Sequence, residues 1–419
     1  MYSFYSKKRN NCRLCGSKKV QIILPMPKSE PTDNFRHPNI KKKKLPKTKI
    51  DIFQCKKCGH VQLLNIINSK LLWKKHIYKS ATSPDLKSHF ENYSKFLFKK
   101  KYLKKNQKVL DIGSNDGLFL DFLKRKNVET YGIDPTSSAV KISIKKGHKV
   151  IDDFLTPYST KKIKSNFSDF FSLITANNVF SHADELGLML KCVSNLLSTE
   201  SYYVFEVSYL LDTIKNRVID FVYHEHLSYH SIKSLVPFLK KEKIYIYNVV
   251  RVPTKGGSIR VICGKNSKLE NKKLIKKLIR LETKSGLYNS SLYKKIYNEI
   301  KFSKNLIHNW LKNQKKNNID IKVYGFGAYS SGTVLLRLFN LEKNLNSLID
   351  ENPYKQSYFA PNSDLQVLPI KKIKRNEKKI IFILAWRYKK KILSKLKKFD
   401  NKNSTIVVLK PCMRKVTIC

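Results

Sequence analysis

Apolar and polar positions change period several times along the chain. Between His89 and Leu97, the residues His89, Phe90, Tyr93, Phe96 and Leu97 recur at helical spacing, so one face of a helix is predicted there. From Lys108 the pattern becomes an alternation of short apolar runs and amphipathic stretches. Val109-Leu110-Asp111-Ile112 reads as a buried strand, Leu118 to Lys126 as a helix, and Val128 to Ile133 as a second strand ending in Asp134. A third strand precedes Asp153-Phe154, a fourth runs from Phe171 to Ala176, and Tyr202 to Val207 is a fifth. After a turn at Pro253 to Ser258 comes the strand Ile259-Arg260-Val261. Ser267 to Asn317 reads as one long helix with an apolar stripe at Leu274, Leu278, Leu281, Ile300, Leu306, Ile307 and Trp310. A second strand-and-helix unit opens at Val323 and continues through Leu348-Ile349-Asp350, Leu365 to Leu368 and Ile380 to Trp386. Strands alternating with helices imply an α/β protein with parallel sheets.

Length and composition refine that picture. The 419 residues exceed one ordinary core and imply two to three domains. The longest apolar run, Ile380 to Trp386, is far short of the ~18 residues of a membrane span. Met1 to Asn11 carries no apolar signal-peptide core, so a cytoplasmic protein is expected. The net charge of +53 raises nucleic acid as a partner. Yet 72 of the 84 basic residues are lysines spread over the whole length, without the arginine and aromatic clusters that read bases. Compositional drift explains such a distribution better, and a solvated face explains the lysine-rich helices.

The eight cysteines are unevenly placed. Cys12-Arg13-Leu14-Cys15-Gly16 and Cys55-Lys56-Lys57-Cys58-Gly59 are two knuckles, each with two thiols that can reach one ion and a glycine for the turn. Together Cys12, Cys15, Cys55 and Cys58 make a closed four-thiolate zinc site, which is structural because no position is left for water. The 39-residue insert between the knuckles, residues 16–54, is longer than a compact zinc ribbon needs.

Two further stretches carry chemistry. Asp111-Ile112-Gly113-Ser114-Asn115-Asp116-Gly117 is a strand running into a glycine turn and a helix, where a ligand can approach the backbone. Asp134, at the end of the next strand, is placed to accept ribose hydroxyls. The glycines lack the dinucleotide spacing, and the acidic start suits a ligand with an amino group, so S-adenosylmethionine fits better than NAD. Asp153 and Phe154 are placed for the adenine, and Asn177-Asn178-Val179-Phe180-Ser181-His182 follows the fourth strand on the same side. The other stretch, Phe221-Val222-Tyr223-His224-Glu225-His226-Leu227-Ser228-Tyr229-His230, puts three imidazoles, two phenols and a carboxylate into ten residues. It follows the strand Tyr202 to Val207 and therefore lies at the ligand-binding end of the sheet.

In this order the segments resemble the S-adenosylmethionine-dependent C-methyltransferases that act on nucleotide-linked 4-keto-deoxysugars, over nearly the full length from Cys12 to about Trp386. The resemblance implies a class I methyltransferase (Rossmann-like) domain with an N-terminal four-cysteine zinc module and a second, C-terminal Rossmann-like α/β domain. The corresponding boundaries are 1–78, 79–250 and 251–419. The implied cofactor site comprises Asp111, Gly113, Asn115, Gly117, Asp134, Asp153, Phe154, Asn177 and Asn178. The implied substrate contacts are Gly256, Gly257, Ser258, Arg260, Gly327 and Tyr329. Two departures fall in the C-terminal domain. Tyr329-Ser330-Ser331 stands where the family has a small residue and Lys before Gly332, and Pro361-Asn362 stands where Pro-Gly is common.

By the same resemblance His226 is the base that forms an enolate, with Glu225 orienting an imidazole, Tyr223 and Tyr78 donating to the enolate or holding the sugar, and His182 a second candidate for proton transfer. His224 reads as structural. A thymidine diphosphate sugar is the expected substrate, with no membrane partner. A sugar O-methyltransferase, an RNA methyltransferase and a non-catalytic sugar-nucleotide-binding protein are the competing readings.

Overall fold

The computed structural model describes residues 5–39, 45–73, 80–82, 84–399 and 403–419, so Tyr78 lies outside the described residues. Its centre is a seven-stranded sheet in the order Tyr245–Val252, Ser258–Gly264, Leu197–Ser208, Phe171–Asn177, Lys108–Ile112, Glu129–Asp134, Lys149–Asp152. The five strands from Leu197–Ser208 to Lys149–Asp152 are parallel, whereas Ser258–Gly264 runs antiparallel to both neighbours. Strand order reverses between Lys108–Ile112 and Phe171–Asn177. Such a switch point opens a crevice beyond the carboxyl ends of the strands, where α/β sheets bind ligands. The apolar run Val109 to Ile112 is buried throughout because helices cover both faces of this sheet. Helix Pro84–Lys99 contributes Phe90, Tyr93 and Leu97 to one covering layer, matching the helical spacing of the sequence.

The N-terminal module is a four-stranded sheet of Val20–Leu24, Ile52–Cys55, Val61–Leu63 and Ser228–Tyr229. Its last strand comes from the histidine-rich stretch, with Ser228 opposite Gln62 and Tyr229 opposite Val61. The long insert between the knuckles crosses the molecule to the C-terminal domain. Arg36 and Phe359 exchange backbone hydrogen bonds of 3.0 and 2.8 Å, and the Glu30 amide donates to the Asn362 side chain at 2.7 Å. Asn362, in the place of the usual glycine, adopts the left-handed φ of 63°. Asparagine tolerates that region, and here its amide gains a partner at each end, Glu30 and Ser29.

The stretch 267–317 is two helices, Lys272–Lys284 and Ser290–Asn317, not one. Gly286, at φ 70°, stops the first helix, with its amide bonded to the Thr283 carbonyl. The buried carboxylate of Glu282 holds the break by accepting from the hydroxyls of Tyr209 and Tyr288 and the amides of Ile232 and Lys233. Helical periodicity persists across such a break, so the pattern alone did not show it. The sheet of the central domain also continues past residue 250 to Gly264, and the Pro253–Gly257 turn lies inside its outer hairpin.

The C-terminal domain is a five-stranded parallel sheet ordered Val367–Leu368, Ser347–Ile349, Lys322–Phe326, Lys379–Ile383, Ser404–Val408. Gly327 turns the chain from the central strand toward helix Ser330–Phe339, and that turn faces the crevice of the first sheet. Among the described residues no helix is long and apolar enough to cross a membrane.

Candidate active site

A cavity of about 1240 Å³ lies where the three parts meet. Pockets for one drug-sized ligand are on the order of 300–1,000 Å³, so this one has room for two ligands side by side. One end is walled by Asp111, Gly113, Asn115, Asp134, Asp153, Phe154, Asn177 and Asn178, and the other by Tyr223, His224, Glu225, His226, Tyr329, Ser330 and Arg387.

At the first end, Asp111 is buried and accepts from the Thr175 hydroxyl at 2.6 Å and the Asn177 amide at 3.3 Å. Burial, with the nearby Asp134 charge, nevertheless pushes its carboxyl up to about 7. Asp134 receives the backbone amides of Asn115 at 3.0 Å and Thr136 at 2.8 Å, which fixes its carboxylate at the end of its strand. Gly113 has φ 71°, and a Cβ there would stand 2.2 Å from Val179. Gly117 is not at the cavity wall. It opens helix Leu118–Lys124, and a Cβ would strike Ser143 at 2.6 Å and His148 at 2.7 Å, so this glycine serves packing.

At the other end, His226 is bonded through Nδ1 to the Phe221 carbonyl at 2.8 Å. A carbonyl only accepts, so Nδ1 carries the proton and Nε2 keeps the lone pair at the cavity. Burial, helped by the Lys255 charge, holds this imidazole down at about 3, so it is neutral. The His182 ring is stacked between Trp73, at 5.0 Å and 19°, and His226, at 5.2 Å and 10°. Tyr223 lies 4.0 Å from His226, centroid to centroid. The Phe221 carbonyl orients His226, and the Glu225 carboxylate accepts from the Thr32 hydroxyl of the insert, at 3.4 Å. His224 bonds Thr48 of the same insert at 2.7 Å.

The glycine-rich turn contributes differently from expectation. Gly256 lines the cavity, but Gly257 lies against Asp212, with room only for a hydrogen, because a Cβ would be 2.3 Å from that side chain. The Ser258 hydroxyl donates to the Thr254 carbonyl at 3.1 Å. Arg260 is buried away from the cavity, with Nε 2.7 Å from Glu206 and its guanidinium 3.5 Å from the Tyr93 ring centroid. A charge in a strand interior needs such a partner, and here the partner is internal. Glu206 in turn holds His89, a cavity-wall residue, at 2.7 Å. Gly327 also stands behind the wall, where a Cβ would meet Ala385 at 2.8 Å, while Tyr329 lines the cavity and donates to the Leu384 carbonyl at 3.2 Å.

Sequence reasoning missed Lys255, His89, Asp33 and Arg387 at the wall. Lys255 has a left-handed φ of 53°, and its ammonium is accessible from the cavity although protein surrounds it, which pushes it down to about 8. Its one signal was its place beside Gly256-Gly257. Arg387 donates to buried Asp220 at 3.0 Å and to Ser331 at 2.8 Å and covers the Phe221 ring at 4.1 Å, so it joins the C-terminal domain to the histidine-rich stretch. No local pattern marked it.

In the N-terminal module the four sulfurs converge. All lie within 4.8 Å of one another, with Cys12 and Cys58 3.7 Å apart and Cys15 and Cys55 3.5 Å apart. Tetrahedral zinc with bonds of ~2.3 Å requires sulfurs roughly 3.8 Å apart, so the set fits that ion. Each knuckle closes by a glycine amide, Gly16 onto the Cys12 carbonyl and Gly59 onto the Cys55 carbonyl, both 2.9 Å.

Comparison with known proteins agrees with this arrangement. Residues 12–73 match the family described as "Putative zinc binding domain", residues 87–241 match "Methyltransferase domain" and residues 253–411 match "C-methyltransferase C-terminal domain". With these three matches in this order, the chain is an S-adenosylmethionine-dependent methyltransferase that carries a C-methyltransferase C-terminal domain. A similar protein is the C-methyltransferase NovU of Streptomyces niveus, 21% identical over 361 residues, covering 86% of this chain and 85% of the relative. Among solved structures, the PH0226 protein of Pyrococcus horikoshii OT3 is 16% identical, covers 45% of this chain and 95% of its own, and gives a TM-score of 0.38. Magnesium protoporphyrin IX methyltransferase of Synechocystis PCC 6803 with bound SAH is 13% identical, covers 43% and 83%, and gives 0.35.

This methyltransferase takes S-adenosylmethionine and zinc. The cavity end at the switch point fits the sulfonium cofactor. It offers carboxylates to a cationic ligand, a glycine turn closed to any side chain, and a buried Asn177 Oδ1 with no hydrogen-bond partner among the described residues.

Proposed function

We propose that the enzyme methylates a carbon adjacent to the ketone of a nucleotide-linked 4-keto-deoxysugar. The carrying observation is the fixed tautomer of His226, whose Nδ1–H is spent on the Phe221 carbonyl and whose Nε2 is left as a base in the cavity. A hydrogen next to a ketone is acidic because its carbanion delocalises onto oxygen. His226 Nε2 takes that proton, Tyr223 donates toward the enolate oxygen, and His182 stacked on His226 keeps the ring plane fixed. Tyr78 and His182 remain candidates for further proton handling. The bound cofactor supplies an electrophilic methyl group to the enolate carbon. Asp111, Asn115, Asp134, Asp153, Phe154, Asn177 and Asn178 hold the cofactor at one end. Gly256, Tyr329, Lys255 and Arg387 face the nucleotide sugar, where the Lys255 ammonium and the Arg387 donors not given to Asp220 and Ser331 suit an anionic diphosphate.

The test is methyl transfer from S-adenosylmethionine to a thymidine-diphospho-4-keto-deoxysugar in heavy water, read by mass spectrometry. The expected product is heavier by one methyl, with deuterium entering the adjacent carbon even without cofactor. Cofactor binding with neither transfer nor exchange would remove the 4-keto sugar as acceptor.

A further inference from the structure

Arg13 occupies an unusual place for a charged residue. It sits between two cysteines of the zinc set, and its side chain is fully buried. The guanidinium reaches away from the sulfurs, toward the two loops that carry the histidines of the cavity. Nη1 donates to the carbonyls of Leu63 and Leu227, the latter at 3.3 Å, and to Gln62 Oε1 at 3.1 Å. Nε donates to Asp184 Oδ1 at 3.2 Å. Leu227 directly follows His226, and Asp184 is two residues beyond His182.

Other bonds tie these loops to each other and to the zinc module. The Ser228 amide donates to the Ser181 carbonyl at 3.1 Å, and the Leu63 amide to the Leu227 carbonyl at 3.0 Å. Arg9, 2.9 Å from Asp184, and Lys7, 3.1 Å from it, hold that carboxylate from the solvent side. Burying a guanidinium costs several kcal/mol of hydration, which a surface pair would avoid. What the buried position gains is geometry. A rigid planar fork fixes several acceptors at set angles, which a flexible ammonium does not. The acceptors here belong to the loops whose rings stack 5.2 Å apart at 10°.

We propose that Arg13 is a positioning residue, which sets the placement of His182 against His226 and so makes the zinc module part of the methyl-transfer machinery. This rests on the function proposed above. It predicts a loss in kcat rather than in cofactor affinity, because Arg13 touches neither ligand end of the cavity. A displacement of about 1 Å at reacting groups costs on the order of a hundredfold in rate.

The experiment compares Arg13→Met and Arg13→Lys with the wild type in zinc content, kcat, KM for S-adenosylmethionine and the ring resonances of ¹⁵N-labelled histidines. Expected are a ten- to hundredfold fall in kcat for Arg13→Met, little recovery in Arg13→Lys, which keeps the charge but not the fork, and unchanged KM. The resonances of His182 and His226 should shift while those of His37 and His308 stay in place. Wild-type kcat and an unchanged histidine spectrum in a zinc-loaded Arg13→Met would overturn the proposal. If the Arg13 variants lose zinc, Asp184→Ala breaks the same clamp from outside the knuckle, and unchanged kcat and histidine signals there would overturn it equally. The histidine spectrum needs no acceptor. A wild type inactive on every 4-keto sugar therefore defeats the functional reading alone.

Discussion

His226 and Asp111 are the residues on which the proposed chemistry turns, and their environments act in opposite directions. His226 is kept neutral by burial, with its proton on Nδ1. His226→Asn preserves a donor toward the Phe221 carbonyl but removes the base. Methyl transfer should fall at least ~10²–10⁴-fold, the usual contribution of a positioned base, while cofactor affinity measured by calorimetry stays within about twofold. Substantial turnover in that variant would exclude His226 as the base. Asp111 is held up at about 7 by burial, so it is protonated below neutrality and ionised above it. A cationic cofactor favours the ionised form. Cofactor affinity should therefore fall as pH drops below 7, by at most about one decade per unit for a single group, and Asp111→Asn should flatten the profile. A pH-independent wild-type affinity would remove Asp111 from contact with the ligand's charge.

Two elements give these residues their positions. One is the turn after Lys108–Ile112, where Gly113 combines a left-handed φ with a close approach to Val179. Gly113→Ala should weaken cofactor binding by more than tenfold and lower Tm, and Val179→Ala in the same chain should recover part of the Tm by removing the contact; the strained φ remains. The other is the short strand Ser228–Tyr229, which continues the histidine-rich stretch into the sheet of the zinc module. Zinc removal by a chelator should loosen that pairing. Hydrogen exchange at residues 227–230 should accelerate along with the knuckles, whereas the Lys108–Ile112 strand should remain protected. Equal protection with and without metal would show that the strand is held independently of the ion.

At the scale of the whole molecule, the cavity exists because three separately recognisable parts converge on the histidine-rich stretch. Arg387 and Trp386 reach it from the C-terminal domain through Asp220, and Thr32 and Thr48 reach it from the insert. Convergence buries the imidazoles of His224, His226 and His230, which burial holds at about 4, 3 and 4. Unfolding exposes them, and they then take up protons near their ordinary value of ~6.5. The unfolded chain thus binds more protons between roughly pH 6.5 and these lower values. Stability should fall as pH drops through that window, by up to about 1.4 kcal/mol per unit for each histidine. Asp111 opposes this, since its raised carboxyl favours the folded state at lower pH. Three histidines outweigh one aspartate, so Tm should fall between pH 6.5 and 5. A flat Tm would contradict the burial of these rings.

The sequence by itself determined whatever is local. Thiol pairs two residues apart with a following glycine define a knuckle, strand-to-glycine-turn patterns define a nucleotide-binding unit, and ten residues dense in imidazole and phenol mark a site, since each depends on neighbours along the chain. The tertiary structure alone decided what depends on distant partners. Arg260 was taken up by Glu206, and Gly117 and Gly257 by packing, while Lys255, Arg387 and the insert between the knuckles were brought to the cavity. The orienter of His226 proved to be the Phe221 carbonyl, a backbone group for which no side-chain pattern could stand. Which cation is spent on an internal carboxylate and which is left facing a ligand is set by sheet register and domain contact, and those are properties of the folded chain.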